Sequence, residues 1–177
     1  NFFEDLDRYL RKRDINDNKK IDNLVSKVLL EVKEKGDEAV IKYTKKFDKK
    51  NLKPNQFLLS KKIINSYKKQ VDKKIFKSFT KAINNVREFH KLQLPRNITL
   101  SKNGIKLKLK WKTIDSVGLY IPGGLASYPS SLIMNAVPAI VAGVKRIVCV
   151  TPPTKKIDPY ILGILDKLGI NEVYQIG

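Results

Sequence analysis

The sequence SVGLYIPGGLASYPSSLIMNAVPAIVAGVKRIVCVTPP, at residues 116–153, sets the expected architecture of this chain. Together with the residues that follow it, this stretch alternates between apolar strand-like runs and helical patterns, with strands at 117–121, 146–150 and 172–176 and helices at about 130–142 and 158–168. Short strands linked by helices favour a parallel sheet. Residues 116–177 therefore predict an incomplete Rossmann-like βαβαβ unit.

The first half of the chain shows helical periodicity. Apolar residues recur at three- and four-residue spacings over 21–32 and 75–89, and shorter helical patterns follow Asp37 and Ser60. Gly36 is placed to end the first helix with a positive φ, Asp37 to cap the second, Asp72 to begin the longest and Pro95 to stop it. We expect four helices between Ile21 and Pro95.

Between Asn97 and Ile114 the apolar period changes to two. Ile105, Leu107, Leu109 and Trp111 alternate with four lysines. Asn103-Gly104 is the residue pair that a two-residue type I′ turn favours. A β-hairpin is predicted, with a solvated lysine face. The fold class is thus α/β, with a helical region and hairpin over residues 1–115 followed by the start of a Rossmann-like domain over 116–177.

Composition excludes several classes of protein. The 177 residues contain 42% hydrophobic residues, one cysteine and one histidine, so an internal disulfide and a self-contained zinc site are not expected. No apolar run reaches membrane-spanning length and no signal peptide pattern opens the chain. The chain starts without Met and ends on a predicted strand, which suggests a piece of a larger protein.

The formal net charge of +19 raises the alternative of a basic nucleic-acid-binding module. However, the cations are 30 lysines and only 6 arginines, although arginine supplies the bidentate fork that phosphate recognition favours. Solvated helix faces are the better interpretation of these lysines, and nucleic acid is not expected as a partner.

Ligands of an open parallel sheet bind at the carboxyl ends of its strands. At the first such end, Tyr120 precedes the turn Pro122-Gly123-Gly124. This is not a G-x-G-x-x-G fingerprint, and no acidic residue ends the second strand. Taken alone, the tripeptide would be read as a simple turn.

The longer sequence resembles a known family. Residues 116–153, the segment Lys35–Val40 with Tyr43, Phe47 and Asp48, and the C-terminal segment 169–177 are similar in order and spacing to histidinol dehydrogenase. That resemblance implies oxidation of L-histidinol through its aldehyde to L-histidine with two NAD molecules in turn. It also implies zinc, a homodimer and a cytoplasmic location.

The family's zinc ligands and proton-transfer residues lie beyond the segment that this chain matches. No catalytic or metal-ligating residue is therefore assigned here, and the chain is expected to be inactive alone. His90 is explained by its place near a helix C-terminus. A non-catalytic assembly subunit remains an alternative.

The resemblance assigns NAD binding to Tyr120, beside the turn of Pro122, Gly123 and Gly124. It assigns Ser130 to the substrate, although this serine also stands where a helix N-cap is expected. A tyrosine at a strand end offers a flat apolar face and a hydroxyl, whereas its alternative role is that of a buried strand aromatic.

Overall fold

The structure, a computed structural model, describes residues 2–15, 17–123, 128–154 and 157–177, and their side chains except those of 11–18 and 66–68. Its elements confirm the α/β class. The helical part consists of α1 Phe2–Ile15, α2 Asp17–Lys35, α3 Asp37–Phe47, a 3₁₀ turn Pro54–Gln56, α4 Lys61–Lys68 and α5 Lys73–Lys91. It is followed by β1 Ile98–Lys102, β2 Ile105–Leu109, β3 Ser116–Tyr120, α6 Pro129–Val141, β4 Arg146–Thr151, α7 Pro159–Lys167 and β5 Glu172–Gln175.

The chain divides into two compact units, Asn1–Pro54 and Asn55–Gly177. In the second unit α5 packs on α6 and α4 packs on α7, so these helices belong with the sheet. The domain boundary after residue 115 stays a prediction, and β3 begins at that point, at Ser116. Among the described residues, no helix is both long and apolar enough to cross a bilayer.

In the first unit, α2 and α3 meet around one carboxylate. Lys42 Nζ donates to both carboxylate oxygens of Glu31, at 2.8 and 2.7 Å, and the Tyr43 hydroxyl also bonds to Glu31. These bonds lower the pKa of Glu31 to about 2. The two helices are therefore joined by a charge-assisted cluster.

Among helices α2 to α5, the ends follow their predicted signals with one exception. Gly36 has φ 54°, and the Asp72 carboxylate accepts from the Ile75 N–H at 2.9 Å. Asp37, expected as an N-cap, is instead the first residue of α3, because Gly36 occupies the cap position. There its charge faces the positive end of the helix dipole. The sequence did not predict helix α1.

The parallel sheet has the order β3-β4-β5. Gly118 pairs with Val148 and Tyr120 with Val150, and β4 continues to β5 in parallel register. The outer edge of β5 is covered by an antiparallel segment: the Leu59 N–H donates to the Val173 oxygen at 2.9 Å. The predicted βαβαβ arrangement is confirmed.

One face of this sheet carries the core. Leu119, Cys149 and Val173 stand side by side across the three strands and are buried. Both connecting helices pack on this face with buried side chains, which are Leu132, Ile133, Ala136 and Val137 from α6 and Ile161, Leu162, Ile164 and Leu165 from α7. Burial of these apolar surfaces is the main stabilising term of the second unit.

The hairpin of β1 and β2 is confirmed, with Asn103 at φ 50° and Gly104 at φ 78° in the turn. Its apolar face is uncovered in the structure. The side chains on that face are 51–63% exposed, namely Ile98, Leu100, Ile105, Leu107 and Leu109. The alternation therefore predicted the strands correctly but not what lies against them.

Candidate functional site

The carboxyl ends of β3 and β4 are held close together. The Ile121 N–H donates to the Val150 oxygen at 2.8 Å, which extends the pairing of the two strands by one residue. A Cβ placed on Gly123 would lie 3.3 Å from the side chain of Pro152. Glycine therefore fits this point with the least crowding, because the turn after β3 lies directly against the turn after β4.

Tyr120 lies on the open face of the sheet. It is the last residue of β3 and 56% exposed, whereas its neighbours Leu119 and Ile121 are buried. Gly118, two residues earlier on the same face, is also exposed, and a Cβ there would meet nothing within 4 Å. The alternative of a tyrosine buried in the core does not apply.

A row of large side chains crosses this open face at the level of Tyr120. Tyr120 pairs with Val150, Val150 pairs with Tyr174, and Tyr174 forms an antiparallel bridge with Leu58. Val150 and Tyr174 are partly exposed, and Leu58 is exposed. The sequence did not single out Tyr174 or Leu58, because their placement depends on the register of a segment more than 100 residues away in the chain.

The entry to helix α6 differs from expectation. Tyr128 occupies the N-cap position, Pro129 is the first helical residue and Ser130 is the second. The alternative role of Ser130 as an N-cap is therefore wrong, since proline takes the first helical position with its preset φ. Ser130 is exposed at this end of α6. Gly124 lies outside the described residues.

The remaining chemically notable side chains lie elsewhere. Cys149 is fully buried, and burial raises the pKa of its thiol to about 12, as expected for a small hydrophobic residue of the core. His90 lies in the last turn of α5 with its ring against Phe89. Across the part of the chain that the structure describes, no three His, Cys, Asp or Glu side chains are grouped to hold a metal ion.

Pro152 is a candidate site residue that the sequence identified only as part of a turn. Its contact with Gly123 follows from the parallel register, which brings the residues after β3 and β4 to the same edge. The motif Thr151-Pro152-Pro153 at a strand end was the available signal. The site thus consists of an exposed tyrosine, a glycine turn and a proline turn.

Comparison with known proteins shows close similarity to one family. The chain is 40% identical over 174 residues to histidinol dehydrogenase of Carboxydothermus hydrogenoformans, covering 97% of this chain and 40% of that relative. It is 44% identical over 181 residues to the enzyme of Pelagibacter ubique, covering 41% of its length. The chain thus spans about 40% of the length of these curated relatives.

The fold is shared with a solved structure of the same kind. The crystal structure of histidinol dehydrogenase from Elizabethkingia anophelis matches with a TM-score of 0.82 and 32% sequence identity, over 89% of this chain and 36% of that chain. The family model described as histidinol dehydrogenase matches residues 11–177. The chain therefore belongs to the histidinol dehydrogenase family.

Proposed function

We propose that this chain is the N-terminal part of an NAD-dependent enzyme that oxidises L-histidinol through L-histidinaldehyde to L-histidine. The observation that carries the proposal is the position of Tyr120, an exposed aromatic side chain at the carboxyl end of β3, next to the Gly123 turn. This is the edge at which open parallel sheets bind their ligands. Family membership supplies the reaction class.

The residues of this edge suit part of a dinucleotide. The exposed ring of Tyr120 offers a flat surface on which an aromatic base can stack, and its hydroxyl offers a hydrogen bond. Gly123 lets the backbone approach the ligand without an obstructing side chain, and Pro122 precedes it in the turn. NAD, when bound, supplies the hydride acceptor, while these residues bind and orient it.

The described residues do not fit zinc, since they contain no group of three candidate ligands. We propose that the zinc ligands and the proton-transfer residues of the enzyme lie outside the residues described. Ser130, exposed at the start of α6, is proposed to contact the substrate in the complete enzyme. The chain alone is then expected to have no dehydrogenase activity.

The whole enzyme is proposed to be a homodimer that works in the cytoplasm, as expected of an enzyme of amino-acid biosynthesis. The chain spans about 40% of the length of its relatives, so the proposed enzyme requires polypeptide beyond these 177 residues. A non-catalytic assembly role is the alternative that an experiment must distinguish from this proposal.

Binding of NAD to the 177-residue chain tests the role of Tyr120. Saturation-transfer NMR should show contact with the NAD rings, and Tyr120→Ala should weaken binding by about 0.5–1.5 kcal/mol, roughly 2- to 12-fold in Kd. Tyr120→Phe should retain most of the binding because the ring remains. Tyr9→Ala is the matched control, since Tyr9 is 61% exposed but lies in the first unit.

Unchanged binding in Tyr120→Ala, or no NAD contact in the unaltered chain, would contradict the assignment. An activity assay tests whether the chain alone is catalytic, and NADH production would contradict the proposal that the zinc ligands and proton-transfer residues lie outside it. The chain with L-histidinol, NAD and zinc should produce no NADH. Steeply salt-dependent binding to DNA or RNA, together with an absence of NAD contact, would favour the basic module instead.

A further inference from the structure

The turn between β1 and β2 consists of an asparagine followed by a glycine. Asn103 and Gly104 are both exposed and both have positive φ, 50° and 78°. Of the 13 asparagines in the sequence, Asn103 alone is followed by glycine. The turn is therefore both accessible to water and composed of the dipeptide in which backbone attack on the asparagine side chain is least hindered.

Two features of the hairpin favour that attack. A Cβ at Gly104 would meet nothing within 4 Å, so no side chain or neighbouring segment crowds the turn at this residue. Residues 97–114 contain five lysines and no acidic residue. Nearby positive charge stabilises the anion that forms when the Gly104 nitrogen loses its proton.

We propose that Asn103 is a site of spontaneous covalent modification, at which the asparagine is converted to aspartate and isoaspartate through a succinimide. The backbone nitrogen of Gly104 forms a bond to Cγ of Asn103, and the bond from Cγ to Nδ2 breaks. The leaving nitrogen takes a proton and departs as ammonia. Water then adds to either carbonyl of the ring and opens it, so no oxidant or reductant is involved.

The hairpin controls the rate of this reaction. Ring closure requires the Asn103 backbone to rotate away from its turn conformation, while the pair Lys102 and Ile105 holds the two ends of the turn in register. Opening of the hairpin must therefore precede reaction. Because both faces of the hairpin are exposed, such local opening disturbs few packed side chains.

The two products have different consequences for the hairpin. Aspartate keeps the length of the backbone and tolerates positive φ, so the turn persists. Isoaspartate adds a methylene group to the main chain, which a two-residue turn cannot accommodate without shifting the register of β1 against β2. Either product places a negative charge in a segment of lysines and lowers the formal net charge by one.

Incubation of the 177-residue chain at mildly alkaline pH tests the proposal. Cation-exchange chromatography should show a form with one positive charge fewer accumulating with time, and peptide mass spectrometry should place the change at Asn103. Asn171, which is exposed and followed by Glu172, is the internal control and should react several-fold more slowly. In urea, the reaction at Asn103 should accelerate because the hairpin no longer restrains it.

Asn103→Gly is the matched variant, because glycine accepts the positive φ of the turn but has no side-chain amide. It should accumulate the early-eluting form several-fold more slowly than the unaltered chain, in buffer and in urea. Equal rates at Asn103 and Asn171 would overturn the proposal, as would the same charge loss in Asn103→Gly. If urea leaves the rate of reaction at Asn103 unchanged, the claim that the hairpin controls this rate is wrong.

Discussion

The two faces of the β3-β4-β5 sheet differ although the same three strands build both. Leu119, Cys149 and Val173 form a buried row under helices α6 and α7. One residue further along each strand, Tyr120, Val150 and Tyr174 form a row that is exposed or partly exposed. An all-parallel sheet ordinarily has both faces covered, so this asymmetry is unusual.

The difference shows how structure and function are divided within single strands. Because side chains alternate along a strand, each strand supplies one set to the core and another to the open face. The buried row holds the sheet together, while the open row ends at the edge where we place the cofactor. The following changes are ordered from the largest expected effect to the smallest.

Leu119→Ala should produce the largest loss of stability. Leu119 is 7% exposed and packs in the core, so its truncation should lower the free energy of unfolding by about 2–5 kcal/mol. Urea denaturation followed by circular dichroism measures this change. The neighbouring Tyr120→Ala, on the open face, should have a much smaller effect. A comparable loss in both variants would mean that the open face is covered in solution.

Cys149 should be protected from thiol reagents by its place in the buried row. Its thiol pKa of about 12 leaves little thiolate at mildly alkaline pH, so alkylation should be roughly a thousandfold slower than for an ordinary exposed thiol. Iodoacetamide labelling followed by mass spectrometry measures this rate. Unfolding in urea should restore normal reactivity.

A matched thiol on the other face completes this test. Gly118→Cys in a Cys149→Ala background places the thiol where a Cβ meets nothing within 4 Å. It should react rapidly in the folded chain. Similar slow labelling of both thiols would show that the two faces are equally covered, and similar fast labelling would show that the core is not closed.

Much of this asymmetry could be predicted from the sequence, but not all of it. The order of strands and helices after Ser116 and the turn at Asn103 follow from local patterns that the structure confirms. Periodicity identifies which residues share a face. It does not identify what covers that face, and the uncovered apolar side of the β1-β2 hairpin shows this limit.

Long-range contacts explain the rest of what the sequence missed. The segment at Leu58 and Leu59 reaches the edge of β5 through backbone bonds that leave no local pattern. The contact between Gly123 and Pro152 likewise depends on the register of two strands. The position of Tyr120 at a strand end was predictable, whereas its exposure depends on what covers that face of the sheet.

Gly123→Ala should have a smaller effect on stability than Leu119→Ala and should act at the edge of the open face. The added Cβ would lie 3.3 Å from the ring of Pro152, which is too rigid to move aside easily. Such overpacking should cost about 1–3 kcal/mol, measured as a shift of the urea midpoint. NAD binding should weaken with it, because the two turns separate.

Gly118→Ala is the control for this substitution, since both changes add one methyl group within the same six residues. A Cβ at position 118 has open space around it, and loss of glycine's freedom in the unfolded chain should stabilise the protein by about 0.4–1 kcal/mol. If the free energy of unfolding falls in Gly123→Ala and rises in Gly118→Ala, the close packing lies at the turn after β3. Equal effects would mean that Gly123 and Pro152 are not in contact in solution, and the proposed edge of the cofactor site would lose its rigid support.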